Sequence, residues 1–202
     1  LFICRRLGDV QGHPDREDPV LMEDRRYRLG HRQGGRWVAY RHAATFEAGD
    51  RVIAGIPSSD PGVLQSLVSL LRGPLRLLYV LHTPRGEAAA GRYESPEISV
   101  EQTSLFIRRF SDFLAADGRF DLWVHSATDH ATLVWDRHDQ LFGYGPVDLF
   151  VSRLREMGFV AGRVEVPGQH EHHYRAEMDV HAADLLAAFD WRHSPLRPED
   201  EQ

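Results

Sequence analysis

The chain has 202 residues, 42% hydrophobic and 27% charged, which is enough to bury one sizeable core and is ordinary for a globular domain. Its net charge of −6 counts against a general binder of polyanions, so nucleic acid is not an expected partner. No apolar run approaches the roughly 20 residues that cross a bilayer, so no membrane span is expected.

All 24 basic residues are arginine, and the chain contains neither lysine nor asparagine. That usage fits a GC-rich bacterial genome, so an arginine here is not by itself a sign of bidentate recognition. Cys4 is the single cysteine, which excludes an internal disulfide and a cysteine-based zinc site. With no secretory-signal pattern at the start, the expected location is cytoplasmic.

In chain order, residues 1–26, whose charged residues all fall at position 5 or later, read as an irregular charged arm. Residues 27–42 read as a β-hairpin turned at Gln33-Gly34-Gly35, with Trp37, Val38 and Tyr40 giving its second arm strand propensity. Residues 43–54 continue as a loop and a short strand. Ser58-Ser59-Asp60-Pro61 starts a helix that Gly73-Pro74 ends. Residues 75–82 form a buried strand, and the Gly-, Pro- and Ala-rich stretch 83–96 reads as the longest loop. Ser99 with Gln102 is a capping box that opens a helix to about Ala116.

Residues 120–126, 131–135 and 140–144 read as three successive strands, with Asp136-Arg-His-Asp139 as the clearest turn between them. A helix over 146–157 follows, then a strand or hairpin arm over 163–176, and a last helix from Asp179 to Phe189. Adjacent strands without helical crossovers predict an α+β fold, mainly antiparallel, with about four helices packed on the sheet. The expected single domain spans 27–192, and 193–202 is read as an acidic mobile tail.

Four of the 12 histidines fall between Gly168 and His181. Imidazole titrates near neutrality and is the commonest metal ligand, so this stretch is the first place to look for chemistry. Extended backbone would put His170 and His172 on one face and His173 on the other. The first two could then chelate a divalent metal such as zinc, with His181, Glu165 or Glu171 as a third ligand, although alternation turns Glu171 to the opposite face.

Elsewhere, His125-Ser-Ala-Thr-Asp-His130 invites a hydrolase triad but lacks a nucleophile elbow, and a turn explains it better. His82 and His125 lie near strand ends and would meet at one rim if their strands pair in a suitable register. Arg36, Trp37, Tyr40 and Arg41 make the hairpin a candidate contact surface, since arginine and aromatics are enriched at protein interfaces. With no complete catalytic motif, the sequence favours a non-enzymatic bacterial protein of immunity or accessory type, without a cofactor, whose partner is another protein. The other reading is a metal-dependent hydrolase built on His170 and His172.

Overall fold

The order of elements follows from where apolar residues recur. Residues 27–165 and 168–201 are described in this computed structural model, and the charged arm expected over 1–26 lies outside them. The chain enters through a hairpin of β1 (Leu29–Gln33) and β2 (Arg36–Ala39), followed by β3 (Thr45–Ala48) and β4 (Val52–Gly55). Helix α1 (Pro61–Val68) begins where the Asp60 carboxylate accepts the Gly62 N–H at 2.8 Å and proline takes the first position. After β5 (Leu75–Leu81) and β6 (Gly91–Glu94), Ser99 and Gln102 form the expected capping box on α2 (Val100–Arg109). Helix α3 (Ser111–Ala116) precedes β7 (Phe120–Ser126), β8 (Ala131–Trp135) and β9 (Gln140–Tyr144). The chain closes with α4 (Val147–Glu156), β10 (Val160–Ala161), β11 (Glu171–His172), α5 (Asp179–Leu186) and β12 (Arg192–Ser194).

Nine strands form one sheet in the order β10-β3-β4-β9-β8-β7-β5-β6-β12, antiparallel except where β10 meets β3. Strands β11, β1 and β2 make a separate three-stranded sheet. Alternation along each strand gives the large sheet two unlike faces. Leu77 and Tyr79 of β5, Leu122 and Val124 of β7, and Leu133 and Trp135 of β8 are buried in one core with Leu64, Leu67, Phe106, Phe113 and Phe150 of the helices. Gly143 permits part of this packing, because a Cβ there would stand 2.9 Å from the Phe150 ring. Leu78, Trp123, Thr132 and Phe142, on the opposite face, are only half-buried. The fold is therefore α+β, a mainly antiparallel sheet with the helices on one side.

The structure departs from expectation at short or edge elements. β6 lies inside the stretch read as a loop, paired along β5 with Tyr93 opposite Tyr79. Residues 43–54 hold two strands, not one. The long second helix breaks at Phe110 (φ −103°, ψ 14°), giving α2 and α3. Among the described residues of 163–176, Glu171 and His172 pair as strand. Residues 193–201, read as a tail, take defined places: His193 and Ser194 pair with Tyr93 and Arg92, and a buried Asp200 carboxylate is bound by the Arg92 guanidinium.

Candidate metal centre

A buried arginine fastens the small sheet to the end of the large one. Arg28 donates to the carbonyls of Asp117 (3.1 Å), Phe120 (2.5 Å) and Asp136 (2.8 Å), with its guanidinium 4.6 Å from the centres of the Phe120 and Trp135 rings. The backbones come equally close: Gly118 donates to His173 and His173 to the Arg28 carbonyl. A Cβ on Gly118 would lie 2.5 Å from that carbonyl, so only glycine allows the approach. In the small sheet Leu29 pairs with His172, which delivers the histidine-rich segment to the turn between β8 and β9.

That turn is built around two aspartates. Asp136 accepts the His138 and Gln140 N–H groups at 3.0 and 2.8 Å, and its second oxygen meets His138 Nδ1 at 3.0 Å. Asp139 adopts a left-handed φ of 58° and is buried. Its carboxylate accepts Ser59 Oγ at 2.5 Å and Trp135 Nε1 at 3.1 Å, and lies 3.5 Å from Arg28 Nη1. Burial raises the Asp139 pKa, and Arg28 and these hydrogen bonds oppose the shift. His42 Nε2 lies 2.8 Å from the His138 carbonyl, holding the turn from a further side.

His138, His170 and His172 converge. Their ring centroids are 5.1, 5.0 and 5.3 Å apart, each pair edge-on, at 85°, 62° and 82°. One nitrogen from each lies within 4.8 Å of the others. Tetrahedral bonds of the zinc–imidazole length set nitrogens about 3.3 Å apart, so seating an ion would draw the three rings closer together. Asp136 fixes the tautomer, because a proton on His138 Nδ1 held by the carboxylate leaves Nε2 as the ligand atom. His172 Nδ1 is buried with no hydrogen-bond partner. Burial, reinforced by His138, Arg137, His170 and Arg28, pushes the His172 pKa down to about 3, so the ring is neutral and able to bind a metal.

His138 also borders a hollow of about 500 Å³ on the open sheet face, shared with Asp121, Trp123, Phe142 and Arg51. Asp121 accepts the Arg137 N–H at 2.7 Å, and its other oxygen lies 2.9 Å from His82 Nε2.

The histidines of residues 168–181 therefore part company. His170 and His172 share a side as alternation requires, and His173 turns to the other, 5.0 Å from both Tyr27 and Trp37. His181 is exposed on α5 and joins no group of converging ligands among the described residues; His138 takes the third place. His82 and His125 do not meet, because Leu81 pairs with Phe120 and Arg76 with His125, which puts them at opposite ends of the β5–β7 ladder. His125 is exposed beside Thr132, and Ser126 is buried, donating to the Arg72 carbonyl as a turn residue. In the hairpin, Trp37 stacks on Tyr27 and Tyr40 donates to the Glu165 carbonyl. Arg36 and Arg41 are exposed, Arg41 reaching Ser58 Oγ at 3.3 Å.

Sequence reasoning missed His138 and Asp136, whose only visible signal was an Asp-x-His turn. Among the described residues no helix is long and apolar enough to cross a membrane. Comparison with known proteins finds no matching family, no matching curated relative and no matching solved structure, so the reading of the site rests on its own chemistry.

Proposed function

We propose that the protein is a metal-dependent hydrolase whose divalent ion, zinc above all, is held by His138, His170 and His172. The observation that carries this is the meeting of three imidazoles from two separate segments, one of them backed by the Asp136 carboxylate. Three protein ligands leave a fourth position for water, the pattern of catalytic more than of structural zinc. A bound ion supplies an acidified water and polarises a substrate oxygen. Asp121, which lines the same hollow as His138 and is backed by His82, would take up the water's proton. In such a reaction Asp121 would pass that proton on to the leaving group as the bond to it breaks. The hairpin offers the protein-partner reading less support, since Tyr27 is buried and Trp37 and Tyr40 are half-buried, with Arg36 and Arg41 exposed beside them.

Untagged protein, analysed for metals, is expected to carry about one equivalent of zinc or a similar ion. H138A and H172A are expected to lose it, and H181A to keep it. D121N should retain the metal while hydrolysis of 4-nitrophenyl acetate falls about a hundredfold. Substoichiometric metal that H138A and H172A leave unchanged would overturn the proposal.

A further inference from the structure

The hollow beside His138 extends along the open sheet face and ends on an arginine. Trp123, Val134 and Phe142, neighbours across β7, β8 and β9, form its floor. Tyr144 and Arg51 stand at the far end. Gln140 adjoins the His138 turn, and from there to Tyr144 strand β9 rises about 13 Å. The Arg51 guanidinium lies 5.5 and 5.6 Å from the centres of the Phe142 and Tyr144 rings and 3.4 Å from the Tyr144 hydroxyl. No carboxylate forms an ion pair with it among the described residues. Most acids on the walls are engaged elsewhere: Asp121 by His82 and the Arg137 N–H, Asp136 by His138, and Asp200 by Arg92. Glu199 is exposed. Arg51, its guanidinium beside two aromatic rings, thus sits about a strand's length from His138.

We propose that this channel binds an extended organic monoanion. A flat apolar body lies along Trp123, Val134 and Phe142, and a carboxylate at one end is received by Arg51. Guanidinium and carboxylate match as planar forks, and partial desolvation over the aromatic rings strengthens the pair. The negative charge of Asp121, Asp136, Glu199 and Asp200 around the same hollow sets the limit at a single anionic charge and disfavours a dianionic phosphate. What happens at the other end of the ligand rests on the metal-centre reading, because that end would lie against His138; recognition at Arg51 needs no ion.

The test is titration of the full chain with 2-naphthoate, by calorimetry and by tryptophan fluorescence, before and after exhaustive chelation. Binding is expected in both preparations. R51Q should weaken it about tenfold, and unchanged far-UV circular dichroism would show that the variant folds. The neutral 2-naphthamide and the dianionic 2-naphthyl phosphate should bind the native chain more weakly than 2-naphthoate, a comparison that needs no variant. Equal affinity of R51Q and the native chain, or an amide or phosphate that binds as tightly as the carboxylate, would overturn the proposal. Absence of metal with 2-naphthoate still bound through Arg51 would sink the hydrolase reading and leave the channel standing. Stoichiometric metal with no Arg51 dependence would do the reverse.

Discussion

Which nitrogen His138 presents is decided by one hydrogen bond. Asp136 holds Nδ1 and also caps the backbone of the turn, so it sets both the tautomer and the place of the ring. D136N keeps an acceptor for the backbone but removes the charge that raises the basicity of the imidazole. Its affinity for zinc is expected to fall 10- to 100-fold, read by competition with a chromophoric chelator, while the melting temperature changes little. Asp129 gives a prediction of another kind. The Arg72 backbone N–H at 2.6 Å holds the Asp129 pKa below its ordinary value, with help from the Arg72 guanidinium and Ser126. A carboxyl with a lowered folded pKa contributes stability above its unfolded value, about 3.9, and loses it as the pH falls through the folded one. D129N should therefore lower the melting temperature at pH 7, and the deficit should close below about pH 4; a deficit independent of pH would refute this account. At this scale the sequence was half legible. A strand's period placed His170 and His172 together and His173 apart. Nothing in linear spacing could bring in His138, because only the pairing of β1 with β11 and the anchoring of Arg28 carry that segment to the turn.

Among the elements, those with a strong period could be read and those set by their neighbours could not. β7 alternates along its seven residues, β5, β8 and β9 are short apolar-rich runs, and the capping box marked the start of α2 to the residue. β6 and β12 have four and three residues with little apolar content and exist because each lies against another strand's edge. The break at Phe110 falls inside an unbroken apolar stripe, where tertiary packing and not propensity sets the boundary between α2 and α3. The rim shared by His82 and His125 failed for a related reason: an antiparallel register sends the ends of β5 and β7 in opposite directions. Packing between layers can be tested at Gly143, which lies under Phe150 of α4. G143A forces a methyl group into space that the ring occupies and is expected to cost about 1–3 kcal/mol, measured by urea denaturation. A change below about 0.5 kcal/mol would mean that α4 shifts freely.

At the scale of the whole molecule, charged groups inside the protein hold the layers in place. Arg119, fully buried, donates to Asp117, Glu87 and Asp179. Burial disfavours its charge, yet Asp117 and the other two carboxylates raise its pKa above the ordinary arginine value, so it stays ionised at any pH the fold survives. It joins the 83–90 segment and α5 to the entry of β7, as Arg28 joins the small sheet to the same place. Apolar periodicity reveals neither link, since it marks which residues are apolar and says nothing of where an arginine is buried. With Cys4 its single cysteine, the chain has no means of closing a covalent loop on itself. An ion seated on His138, His170 and His172 would bridge the two sheets much as a disulfide bridges distant strands, narrowing the freedom of the unfolded polymer. It would differ from a disulfide in being removable by any competing chelator, so the grip of one layer on the other would follow the supply of metal around the protein.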